Sequence, residues 1–168
     1  MNSLHTLIVT VEDRPGVLNR VASLFRRRGY NIESLTVGHT AEPGVSRMTV
    51  VVDADDDTVR RLEANLYKLV NVLLVENLRD KGAVVHDLAL IKVRAGVAER
   101  AQLLQLLEVF RARAVDVGAE NLIVEITGAP DKIDGLVRVL EPFGVLEMVR
   151  TGAVAMTRGA DLRLVAAA

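Results

Sequence analysis

Leu7-Ile8-Val9-Thr10-Val11-Glu12-Asp13-Arg14-Pro15-Gly16-Val17-Leu18-Asn19-Arg20-Val21-Ala22-Ser23-Leu24-Phe25-Arg26-Arg27-Arg28-Gly29 is the stretch that decides the fold. Its first five residues alternate as a strand buried mainly on one face does. Glu12 to Gly16 then breaks the strand. The period changes to that of a helix, with Val17, Leu18, Val21, Ala22, Leu24 and Phe25 on one side. Arg26, Arg27 and Arg28 close it, where cations offset the negative end of the helix dipole. Gly29 is a natural left-handed stop.

The rest of the first half completes a pattern. Residues 31–39 read as a strand through Ile32, Leu35 and Val37. Residues 41–44 form a turn, and residues 46–53 a second strand with Met48, Val50 and Val52 on one face. Acidic residues 53–57 open a helix, lined by Val59, Leu62, Leu66 and Leu69. Residues 70–78 close the half as a strand, so the order is β-α-β-β-α-β. After a polar joint at residues 79–82, the order repeats. Strands are expected at residues 84–94, 115–118 and 121–127, and helices at 99–113 and 130–140, with Pro130 at a first helical position. One or two last strands fall within residues 144–156.

The expected fold class is therefore α+β, with two ferredoxin-like βαββαβ domains, each a four-stranded antiparallel sheet with helices on one face. Ile8 and Val51 would leave the other face of the first sheet apolar and exposed, which calls for a partner copy or the other half to cover it.

Composition narrows the function. The chain has 168 residues, half of them hydrophobic, but only 3% aromatic, and a formal net charge of −1. That balance argues against an electrostatic nucleic-acid binder, and the scarcity of aromatics against stacking on single strands. With no cysteine, disulfides and thiolate chemistry are excluded. No basic leader precedes a long apolar run, and no window approaches the roughly 20 apolar residues of a membrane span, so a cytoplasmic protein without membrane attachment is expected. His5, His39 and His86 show no metal-ligand spacing. The carboxylates at residues 53–57 read as a solvated helix start. No phosphate-binding glycine loop or nucleophile elbow occurs. No catalytic residue and no metal site are expected.

One segment has the chemistry of a binding site for a small zwitterion. Gly16 lets a ligand approach the backbone, and the helix start offers free N–H groups to a carboxylate. Asp13 can take an ammonium. Asn31, beyond the same helix, carries an amide that both donates and accepts. Val17, Ile32 and Leu35 can line an apolar pocket. The same residues also suit ordinary local duties, with Asp13 as an N-cap, Pro15 and Gly16 as turn residues and Asn31 as a turn amide.

Asp13-Arg14-Pro15-Gly16-Val17-Leu18 after a strand resembles the signature of ACT domains. Leu24-Phe25-Arg26-Arg27-Arg28-Gly29-Tyr30-Asn31-Ile32-Glu33-Ser34-Leu35-Thr36-Val37 is similar to the LFxxRGYNIxSLxV stretch of acetolactate synthase small subunits. Ser46-Arg47-Met48-Thr49 is similar to the SRMT strand of the same family, and Arg150-Thr151-Gly152 to its RxG ending.

The resemblance implies an ACT amino-acid-binding regulatory domain at residues 1–79, a C-terminal ferredoxin-like domain at 83–158 and a tail at 159–168. It implies a large catalytic partner that holds thiamine diphosphate, FAD and Mg²⁺, with no cofactor on this chain. It implies activation of that partner, feedback inhibition by valine or another branched-chain amino acid, and a homodimer through the ACT domains. The effector site would take Asp13, Gly16, Val17 and Leu18 from one protomer, and Asn31 and Ile32 from the other. Many valine-sensitive members carry Asn where this chain has Asp13, which leaves effector identity open. The alternative is a stand-alone ACT-type sensor serving a different enzyme or a transcription factor.

Overall fold

The computed structural model describes residues 2–79 and 81–159. Asp80 and the expected tail from residue 160 onward lie outside the described residues. The chain divides into two compact units. One holds residues 2–84 together with 153–159, and the other holds Val85–Gly152.

The first unit runs β1 (Ser3–Glu12), α1 (Val17–Arg28), β2 (Ser34–His39), β3 (Val45–Ala54), α2 (Asp56–Leu66) and β4 (Val72–Asn77). Its sheet has the order β2-β3-β1-β4 and is antiparallel throughout. Period-2 alternation sends Leu7, Val9, Val11, Met48, Val50 and Val52 to one face, where Val17, Val21, Leu24 and Phe25 of α1 and Val59, Leu62 and Leu66 of α2 meet them.

The second unit runs β5 (Ala83–Arg94, beginning in the joint), α3 (Val97–Val109), β6 (Arg113–Val117), β7 (Asn121–Gly128), α4 (Pro130–Leu140) and β8 (Val145–Arg150). Its strand order, β6-β7-β5-β8, repeats that of the first. Ile91, Val93, Leu122, Val124 and Ile126 pack beneath Leu103, Leu107, Ile133, Leu136 and Leu140. Both halves are thus ferredoxin-like, as the periodicity predicts. A further strand, β9 (Val154–Thr157), follows.

Leu69, expected to line the second helix, lies beyond its end at Leu66, and the strand expected at 115–118 runs Arg113–Val117; three further features differ from the sequence expectation. The helix expected over residues 99–113 stops at Val109. Arg111 takes φ 52°, and its N–H donates to Glu108 O while that of Ala112 donates to Leu107 O. This is a left-handed helix stop made without glycine, so nothing in the sequence marks it. The strand expected from residue 31 begins at Ser34, because Tyr30 N–H closes α1 onto Phe25 O and the ladder starts only when Glu33 N–H reaches Val51 O.

The third correction concerns the outer face of the first sheet, which carries Thr6, Ile8, Thr10, Ser34, Arg47, Thr49 and Val51. Ile8 was expected to be exposed there, yet it is 0% exposed within the single chain. Residues 153–157 of the same unit cross this face. Ala153 N–H donates to Ser34 Oγ at 2.9 Å, and Arg47 Nη2 donates to Ala155 O at 2.9 Å. Val51 is half-buried.

Candidate functional site

The turn between β1 and α1 is open. Asp13, Arg14, Pro15 and Gly16 are all exposed. Gly16 sits at the helix N-cap with φ 83° and ψ −5°, a left-handed conformation that disfavours a side chain. No side chain caps α1. The first intrahelical bond is Arg20 N–H to Gly16 O at 3.0 Å, and Val17 N–H goes back to Arg14 O at 3.3 Å. The N–H groups of Leu18 and Asn19 are therefore the free donors of the first turn. The first turn holds no acidic residue, so nothing within the helix offsets the positive end of its dipole.

Asp13 does not cap the helix. Its N–H donates to Gly44 O at 2.7 Å, and its carboxylate lies 3.2 Å from His39 Nδ1. His39 is a site residue the sequence reading missed. β1 and β2 both run antiparallel to β3, so they run parallel to each other and their C-terminal ends coincide. That juxtaposition follows from strand register, not from local sequence.

Asn71 was missed as well. Buried beneath the turn, it accepts from Arg20 Nη1 at 2.8 Å through Oδ1 and donates from Nδ2 to Glu12 Oε2 at 2.6 Å. Its backbone O accepts from Glu12 N–H at 2.9 Å. Arg14 Nε lies 3.2 Å from the same Glu12 oxygen. The amide thus ties the end of β1 to α1 and fixes the mouth of the turn.

The remaining expected residues separate clearly. Val17 is 4% exposed and belongs to the core, so only its backbone faces the turn. Leu18 is 44% exposed beside the turn. Val37, on the helix-bearing face at the same end of β2, is 42% exposed. Ile32 packs partly against the core. Asn31 is exposed and donates to Glu33 Oε1 at 2.5 Å. It does not meet the turn within one protomer. Gly16 and Asn31 flank opposite ends of the 12-residue α1, which spans about 18 Å.

Among the described residues, no group of three or more His, Asp or Glu could hold a metal ion, and no helix is long and apolar enough to cross a membrane. The turn brings together backbone donors of the kind that suit an anion, a carboxylate of the kind that suits a cation, and exposed aliphatic surface next to both.

Comparison with known proteins places the chain, and not the site itself, in a class. Residues 7–74 match the family described as the AHAS small subunit-like ACT domain, so the first unit is an ACT domain. Residues 86–159 match the small subunit of acetolactate synthase. The chain is 48% identical over 155 residues to the acetolactate synthase small subunit of Mycolicibacterium smegmatis, covering 92% of this chain and 91% of that one. It is 51% identical to that of Mycobacterium leprae, covering 92% of both. The crystal structure of the small subunit from Thermotoga maritima superposes with a TM-score of 0.86 at 41% identity, over 94% of this chain and 99% of that one. The chain belongs to the acetolactate synthase small-subunit family.

Proposed function

We propose that this chain binds a branched-chain amino acid, valine foremost, at an interface between two copies of its ACT domain, and so regulates the acetolactate synthase catalytic subunit. It would raise that subunit's activity when unliganded and withdraw the support when the effector binds. Full-length similarity to acetolactate synthase small subunits favours this reading over a stand-alone sensor.

The observation that carries the site is the placement of Gly16 and Asn31 at opposite ends of α1. β2 is an edge strand, paired only with β3 among the described residues. Two copies joined through β2 across a two-fold axis would run these strands antiparallel. Asn31, just ahead of the partner's β2, would then lie beside the C-terminal end of this copy's β2, where His39 meets Asp13 and the turn opens. The exposed Leu18 and Val37 lie at that end and suit an aliphatic side chain. In this pose, the effector carboxylate would take the Leu18 and Asn19 N–H groups, and the ammonium would take Asp13. Selectivity among aliphatic side chains would be modest, because one methylene is worth about 1–3 kcal/mol in an apolar pocket. An effector that bridges two copies shifts the equilibrium only by its preference for the arrangement that completes its site.

Mixing two defective variants tests the two-copy composition. Gly16→Asp and Asn31→Ala each lose valine binding alone. In a mixed dimer, one site receives both lesions and the other receives neither. Random mixing of equal amounts is therefore expected to restore roughly a quarter of the sites in a calorimetric titration with valine. A mixture as inert as its components would refute the composition.

A further inference from the structure

The three arginines that end α1 are more than that helix requires. Arg27 and Arg28 share a surface cavity of about 380 Å³ with Asn65 and Lys68, at the end of α2, over a floor of Leu24 and Leu69. Arg28 Nη2 and Lys68 Nζ both donate to Asn65 Oδ1, at 3.3 and 3.4 Å, so two cations share one neutral oxygen. Asn65 is held in that orientation by its own Nδ2, which donates to Arg61 O at 2.7 Å. Arg27 Nε donates to Ser23 O at 3.3 Å. Among the described residues, no carboxylate pairs with any of the three cations, whereas Arg60 one turn away does pair with Asp57.

The simplest duty of such cations is to offset the dipoles of the helices that end here. Each helix C-terminus carries about half a negative charge, so two call for roughly one positive charge. Three cations exceed that by about two charges. An anion of about that charge in the cavity would offset their mutual repulsion, which water and salt only partly screen. The donors suit a phosphate group, since arginine forks match phosphate oxygens and lysine adds a point charge. The leucine floor gives an attached carbon skeleton a place to rest.

We propose that this cavity binds a small phosphate ester, at a site lined by none of the residues assigned to the amino acid. Isothermal titration of the full chain with phenyl phosphate is expected to show one saturable site per chain, tighter than for inorganic phosphate and weakened by added salt. Arg28→Gln and Lys68→Gln should each weaken binding by roughly tenfold or more, as loss of a charge-assisted hydrogen bond does. Arg60→Gln should change nothing. All three positions are exposed surface, so the variants are expected to retain the fold. No saturable binding up to about 10 mM, equal affinity in the Arg28 and Lys68 variants, or an equal loss in Arg60→Gln would overturn the site. Equal affinity for phenyl phosphate and inorganic phosphate would overturn its assignment to an ester.

Discussion

Replacing Gly16 separates what the turn does for the fold from what it does for a ligand. Gly16 has φ 83°, and a Cβ built there meets nothing within 4 Å. Gly16→Ala therefore carries no clash, only the penalty of a left-handed L-residue, about 1–2 kcal/mol. Each kcal/mol shifts the melting point of a unit of this size by about 4–8 °C, so a fall of about 5–15 °C is expected. Gly16→Asn should fall less, because asparagine tolerates this region. Gly38 is the control. Space beside it is equally open but its φ is not positive, so Gly38→Ala should leave the melting point nearly unchanged.

The ligand response should not track these stabilities. Gly16→Asp sets a carboxylate beside the free N–H groups of Leu18 and Asn19. It should abolish valine inhibition in a reconstituted assay of acetolactate formation while leaving activation in place. Circular dichroism melts and a valine titration of activity measure the two effects. A Gly16→Ala chain as stable as the parent would refute the backbone argument. A Gly16→Asp chain that stays fully valine-sensitive would refute the pocket.

Other expectations concern the frame around the site. Arg150→Ala leaves Asp87, 7% exposed and held by Arg150 Nε at 2.5 Å, as a buried carboxylate without its partner. Arg150 is partly open to water, so the loss should fall near the lower end for a broken buried pair, about 3 kcal/mol, read in denaturant unfolding of the second unit. Asp55 caps α2 by accepting from Thr58 N–H at 2.8 Å, which is the largest reason its pKa lies below the ordinary value of 3.8. A carboxyl lowered by folding stabilises fully above its unfolded-state value, and that contribution is lost as pH falls through its lower folded-state value. The melting-point gap between the parent and Asp55→Ala should therefore be full at about pH 6 and shrink towards about pH 3. A chain ended after Val84 loses residues 153–157, which cross the sheet face that carries Ile8, and is expected to expose that side chain. The first unit should then lose about 1.5–3 kcal/mol from that side chain alone and melt earlier than in the full chain.

The sequence by itself determined the architecture. Period-2 and period-3.6 stretches alternate in the order that two ferredoxin-like units require, and side-chain direction in strands and helices is set locally. Local chemistry also marked the Gly29 stop, the acidic start of α2, Pro130 at the head of α4 and the open turn at residues 13–16. Three things were decided only by tertiary structure. Arg111 ends α3 in a conformation that no residue type announces. Ile8 is buried on a sheet face that residues more than a hundred positions away cross. His39 and Asn71 reach the turn because parallel strand ends and a buried amide bring them there. The last two depend on register or packing between distant segments, and a local pattern carries no information about which distant segment will arrive.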